Sequence, residues 1–267
     1  MLTDITLGQY YPGQSFLHGL DPRTKILATL IFICSIFLAN TYVAYGVLLA
    51  FVVLAVGLSR LPAKLVARSV KPLWVIVVLT FFIHAFSTPG IALFEWKFIS
   101  ITDTGVRQGV LMSLRLVFLI VVSSLLTYTT SPIVLTDGIE SLLNPFRRFG
   151  VPAHELAMMM TIALRFIPTL LEETDRIMKA QVARGADFSS GHLLKRAKNL
   201  LPLLVPLFIS AFRRADELAV AMEARCYRGG ENRTRLHQLA YAPRDGVALG
   251  GVLLLTLALA WVRWNGL

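Results

Sequence analysis

Between Lys25 and Arg60 the chain carries no charged side chain at all. In water such a run leaves a large apolar surface uncovered. In hydrocarbon it is stable provided that every backbone N–H and C=O is satisfied internally, which a helix does. At about 1.5 Å of rise per residue the run is too long for one span, and the half before Asn40 is short for a full one. The reading is two spans with a tight turn at Asn40-Thr41. The whole composition agrees: 55% of the 267 residues are hydrophobic and 16% charged, against about half and a quarter in soluble domains. The expected fold class is therefore an all-α integral membrane protein.

Residues 1–25 are polar and Gly/Pro-rich and do not read as a cleavable leader. Pro12-Gly13 and Asp21-Pro22 are expected turns. Arg60, Lys64, Arg68 and Lys71 mark a basic loop or interfacial helix. Pro72 to Phe86 is a further span, and Glu95 and Trp96 lie in a segment suited to a membrane interface. Gly105 to Thr130 is a fourth span, with Arg115 inside it. A buried arginine is either a functional ligand or one paired within the bundle. Gly246 to Trp264 closes the chain as a fifth span. From Ser131 to Ala242 the apolar runs shorten and charge enters regularly. Leu156 to Leu171 contains Arg165 and Pro168, and Leu200 to Phe212 contains Pro202 and Pro206, so neither is expected to span. The domains expected are 1–130 (N-terminal segment and four spans), 131–242 (a polar helical domain) and 243–267 (the last span).

Charge sets the orientation. The net charge is +10, from 26 Lys and Arg against 16 Asp and Glu. With the N-terminus inside, nearly all the basic residues fall on the cytoplasmic side, as the positive-inside bias requires. The C-terminus is then outside. A nucleic-acid partner is disfavoured because the basic residues flank apolar spans. Cys34 and Cys226 are expected as free thiols.

Within 131–242 a pattern recurs. Ala183-Arg184-Gly185 returns 41 residues later as Ala224-Arg225-Cys226, and Asp175 and Asp216 precede the two arginines at one common offset. Glu172 with Arg176, and Asp175 with Lys179, are acid-before-base pairs four residues apart, the favourable order on a solvated helix face. An arginine followed by glycine is an ordinary way to end a helix. It is also a docking element, because a small residue permits close approach and a guanidinium fork suits a carboxylate in a partner groove.

The chain resembles the transmembrane T component (EcfT) of energy-coupling factor transporters, ABC-type importers of vitamins and trace metals. The resemblance rests on Gly8-Gln9-Tyr10-Tyr11-Pro12-Gly13-Gln14-Ser15, Leu20-Asp21-Pro22-Arg23-Thr24-Lys25, Ala163-Leu164-Arg165-Phe166-Ile167-Pro168-Thr169, Ala183-Arg184-Gly185-Ala186-Asp187-Phe188, Lys195-Arg196-Ala197-Lys198 and Ala221-Met222-Glu223-Ala224-Arg225-Cys226-Tyr227-Arg228-Gly229. Its form is that of T components shared among several substrate-binding S components. The resemblance implies a bundle of about five transmembrane helices plus three amphipathic coupling helices at 132–149, 153–184 and 192–226. It implies that Ala183, Arg184 and Gly185 dock one ATPase subunit and Ala224, Arg225 and Cys226 the other. It further implies that the Pro-bearing helix halves around Pro168, Leu171, Pro202 and Pro206 form a platform for the S component. The implied partners are two EcfA-type ABC ATPases, a membrane-embedded S component and the bilayer of a bacterial cell. Cys226 stands where the family motif has glycine. The last helix is expected to end there or to run on to Gly229.

No nucleotide-binding glycine loop is present, so the chain is expected to be non-catalytic. Its five histidines lack ligand spacing, and no metal or other cofactor is expected. Gly105/Gly109 and Gly246/Gly250 match a small-residue helix-packing pattern. Two rival readings are a stand-alone secondary transporter using Arg115 and a membrane enzyme using His84, Glu95 and Asp103.

Overall fold

The computed structural model describes residues 9–90, 92–96, 99–186, 193–229 and 238–264, with the side chains of 92–96, 99–101 and 193–199 outside that description. Its described elements are helices apart from one hairpin: α1 (Pro22–Ile36), α2 (Tyr42–Ser59), α3 (Ala63–Val70), α4 (Trp74–Ser87), β1 (Ala92–Trp96), β2 (Ile99–Thr102), α5 (Asp103–Thr129), α6 (Pro132–Leu143), α7 (Ala153–Ala183), α8 (Leu193–Ala224) and α9 (Pro243–Trp264). Contacts divide it into two units, one holding residues 8–139 and 237–267, the other 140–236 with 1–7.

In the first unit α5 supplies Phe118, Val121, Val122 and Leu125 to a core shared with Phe32 and Ile36 of α1, Leu48 and Val52 of α2, and Leu255 and Leu259 of α9. Large side chains facing away from that core are exposed, among them Val53 and Leu54 of α2, Val75 of α4 and Leu254 and Leu257 of α9. That is the surface a hydrocarbon solvent covers. Gly105 and Gly109 hold α4 against α5. A Cβ at Gly109 would lie 2.9 Å from the Phe81 carbonyl oxygen, and one at Gly105 would lie 2.8 Å from that of His84. A Cβ at Gly246 or Gly250 would meet nothing within 4 Å, so among the described residues the first glycine pair packs helices and the second does not.

The start of α1 is clasped to the start of α9. The buried Asp245 carboxylate accepts the backbone N–H groups of Asp21 (2.8 Å) and Ala242 (2.7 Å). Asp21 caps α1 by accepting from the Arg23 N–H, with Pro22 in the first turn. Asp21-Pro22 is therefore a helix start, not the expected turn: proline suits the first helical position, whose N–H needs no partner. Lys25, just before the apolar run, donates to the Thr129 carbonyl at 2.9 Å and the His18 carbonyl at 3.3 Å.

Among the described residues five helices are long and apolar enough to cross a membrane: Tyr42–Ser59, Ala63–Ser87, Asp103–Thr129, Ala153–Ala183 and Pro243–Trp264. The number matches expectation but the membership does not. α1 has only 15 residues, about 22 Å by helical rise. α7 enters the set because Arg165 and Pro168 do not break it: the helix runs 31 residues through its internal proline. Pro202 and Pro206 likewise lie inside the 32-residue α8. The basic stretch after Arg60 forms α3, which continues through a 3-10 turn at Lys71–Leu73 into α4. The β1–β2 hairpin is antiparallel, pairing Glu95 with Ser100 and Trp96 with Ile99, where only an interfacial segment was expected.

Candidate docking site

The second unit is built on α7 and α8, and each helix ends the same way. At α7 the Gly185 N–H donates to the Val182 carbonyl (2.9 Å) and the Ala186 N–H to that of Gln181 (3.0 Å). Gly185 has φ +87°. This is a Schellman cap, which satisfies the last carbonyls of the helix and turns the chain away. At α8 the Cys226 N–H donates to the Glu223 carbonyl (2.8 Å) and the Tyr227 N–H to that of Met222 (3.1 Å). Cys226 has φ +57°, in the left-handed region that glycine occupies at no cost. Of the two endings open to α8, the helix takes the earlier. Ala183 and Ala224 are the last helical residues, and Arg184 and Arg225 sit at equivalent cap positions. Both arginines are exposed, and among the described residues neither has an ion-pair partner.

The helices run antiparallel. Arg214 Nη2 donates to Glu173 Oε2 at 2.8 Å, and Gln181 Nε2 reaches the Pro202 carbonyl at 3.5 Å. The Tyr227 hydroxyl lies 3.4 Å from Nε2 of His154, near the start of α7. Glu173 and Arg214 are 41 residues apart, the interval that separates Arg184 from Arg225. Equivalent positions of the repeat thus meet each other, and a local two-fold relates the copies. Each arginine lies the same number of residues beyond the meeting point, in opposite directions. Helical rise then separates the two by roughly 33 Å. The expected pairs within α7 are present, Lys179 to Asp175 at 2.6 Å and Arg176 to Glu172 at 4.0 Å. Exposed pairs of this kind contribute little to stability.

The Pro-bearing halves present apolar surface. Pro168 and Pro202 are exposed, Leu171 and Pro206 partly buried. Around them Leu201, Val205, Phe208, Ile209 and Phe212 of α8 are more than half exposed, as is Met159 of α7. Leu203 points inward. Sequence reasoning passed over one contact here: His154 Nδ1 lies 2.9 Å from Glu140 Oε1 while its Nε2 faces Tyr227. These three residues tie the end of α8 to the start of α7, and nothing in their spacing announces it. Asp187 and Phe188 of the first motif lie outside the described residues.

The rival sites lose their supporting observations. Arg115 donates to the Tyr45 hydroxyl and the Ala39 carbonyl, each at 3.1 Å, and lies over the Phe37 ring. Its donors are engaged within the bundle. His84 is within 2.9 Å of the Thr80 carbonyl on its own helix, Asp103 begins α5, and the Glu95 side chain lies outside the described part. Among the described residues no group of three potential metal ligands converges.

A family model, CbiQ, described as cobalt transport protein, matches residues 13–236. An energy-coupling factor transporter transmembrane protein EcfT from Acidaminococcus fermentans is 68% identical over 267 residues, covering 99% of each chain. The chain belongs to the EcfT family. Further EcfT proteins, from Brevibacillus brevis and Bacillus subtilis, are 53% and 48% identical, each over 98% of this chain and 100% of its own length. As an EcfT-family transmembrane subunit, it is a multi-pass component of an energy-coupling factor transporter, a transport protein and not a catalytic enzyme.

Proposed function

We propose that this chain couples two ABC ATPase subunits to a substrate-binding S component, for uptake of a vitamin or other micronutrient by a module shared among several S components. The observation that carries this reading is the matched pair of helix ends: two exposed arginines, identically capped and related by a local two-fold. Two copies of one docking element fit two similar partner subunits, since a two-fold places like surfaces against like surfaces. Arg184, held between Ala183 and Gly185, enters a groove of one ATPase; Arg225, between Ala224 and Cys226, enters the other. Nucleotide-driven approach and separation of the grooves then changes the crossing of α7 and α8 about the Glu173–Arg214 contact. The apolar surface around Pro168, Leu171, Pro202 and Pro206 carries the S component and transmits the change to it.

In this reading residues 131–242 are the cytoplasmic coupling domain. α7 carries seven charged residues and lies along the inner membrane surface. α1, prolonged by 3-10 bonds to Ala39, α2, α3 continued into α4, α5 and α9 cross the bilayer of a bacterial cell, with the N-terminus inside and the C-terminus outside, in keeping with the positive-inside bias. Affinity purification of the tagged full-length chain from native membranes tests this proposal. Two ATPases and one small membrane protein should co-purify. Recovery of the chain alone under conditions that preserve other membrane complexes contradicts it.

A further inference from the structure

In the first unit, two adjoining cavities have opposite character. One, of about 720 Å³, opens between residues 10–19, the end of α2 and the start of α9, and both Arg60 and Arg244 line it. The other, about 470 Å³, runs between α1, α2, α5 and α9 and is almost wholly apolar, with Phe32, Phe51, Ala55, Val122 and Gly251 among its walls. Phe16 and Leu58 line both cavities. Among the described residues no carboxylate lines either one. Arg60 and Arg244 are exposed, and neither has an ion-pair partner among the described residues. The third basic group of the polar cavity, His18, is already engaged: its ring nitrogens contact Ser15 Oγ at 2.6 Å and the Tyr11 carbonyl at 3.0 Å. Arg60 is held at φ +51° by the chain reversal after α2, which places its side chain at the cavity and not on the helix face.

We infer that these cavities form a binding site for one anionic phospholipid, its phosphate held by Arg60 and Arg244 and an acyl chain lying between α1, α2, α5 and α9. Two uncompensated cations select an anionic headgroup over a zwitterionic one, as basic pockets beside membrane helices do. The apolar cavity begins beside Lys25 and reaches Phe32, about 10 Å along α1 by helical rise, which is the depth of the upper part of an acyl chain. Gly251 keeps one wall thin, because a Cβ there would meet nothing within 4 Å. The inference does not depend on the ATPase or S-component partners.

Native mass spectrometry of the full-length chain, incubated in detergent with phosphatidylglycerol or phosphatidylcholine of identical acyl chains, tests the inference. One phosphatidylglycerol should be retained at least tenfold better than phosphatidylcholine. Arg60→Gln with Arg244→Gln should remove that preference, while the charge-matched pair Lys64→Gln with Arg68→Gln on α3 should leave it intact. Gly251→Phe and Ala55→Phe, which fill the apolar cavity, should reduce retention of both lipids about tenfold. Equal retention of the two lipids by the wild-type chain overturns the site, a comparison that requires no variant to fold. Equal loss in the α3 pair also overturns it, by making the preference a general surface effect. Displacement of phosphatidylglycerol by millimolar inorganic phosphate, with the filling variants silent, shows a free-anion site and overturns the lipid assignment.

Discussion

Cys226 carries a burden that Gly185 does not. A left-handed residue with a Cβ costs about 1–2 kcal/mol, yet the α8 cap is closed by the same two hydrogen bonds as the α7 cap. Glycine at this position relieves the strain but loses more chain entropy on folding, roughly 0.5–1 kcal/mol. Cys226→Gly should therefore stabilise the protein by up to about 1 kcal/mol, raising its thermal midpoint by about 2–4 °C. Cys226→Val should lower it. Scanning calorimetry in detergent measures both, and a lowered midpoint for the glycine variant contradicts the strain argument. The arginines and Gly185 could be read from the chain because a cation before a glycine is how a helix ends. Cys226 could not, because local preference favours continuation to Gly229. What decides is the backbone path, held in place by the Tyr227 contact with His154.

At the scale of elements, helix–helix contact depends on which glycines face a backbone. Gly109→Ala should cost about 1–3 kcal/mol through overpacking, because the obstructing atom is the Phe81 carbonyl oxygen 2.9 Å away. Gly250→Ala meets nothing and should be neutral or gain up to about 1 kcal/mol in helix propensity. The thermal midpoint should fall for Gly109→Ala and hold or rise for Gly250→Ala; the same drop in both contradicts the packing assignment. The α7–α8 contact has its own test. Glu173→Arg and Arg214→Glu should each destabilise, and the double exchange should recover a coupling of roughly 0.5–1 kcal/mol. The long helices were visible as periodic apolar runs, and the segments at 132–149, 153–184 and 192–226 lie within a few residues of α6 with its 3-10 extension, α7 and α8. The continuity of α7 and α8 through their prolines came from the family resemblance, which implies single helices at 153–184 and 192–226; local preference alone does not give it, since a lone proline reads as a break unless its surroundings hold the helix. The β1–β2 hairpin was not visible, since its aromatic residues read equally well as an interfacial loop.

At the scale of the whole molecule, a repeat in sequence says that two segments are alike but not how they face. An interval of 41 residues is compatible with helices side by side, end to end or crossed. The Glu173–Arg214 contact brings equivalent positions together, the Gln181–Pro202 and Tyr227–His154 contacts make the pair antiparallel, and that places the two capped arginines at opposite ends of the pair. The proposed role follows from that separation: one subunit at each end, and a shared pivot between them. It predicts equivalence. Arg184→Glu and Arg225→Glu should each weaken assembly with the ATPases by at least about thirtyfold. That loss is within the range expected when one member of a desolvated charge pair is removed, about 2–5 kcal/mol.

The most direct measurement is ATP-driven substrate uptake, together with ATPase retention, in proteoliposomes carrying the complete complex with Arg184→Glu, Arg225→Glu or both. Loss of uptake in each single variant, with one ATPase contact weakened in each and both in the double, is the predicted result. Undiminished assembly and uptake in the double variant contradicts the docking role of both helix ends.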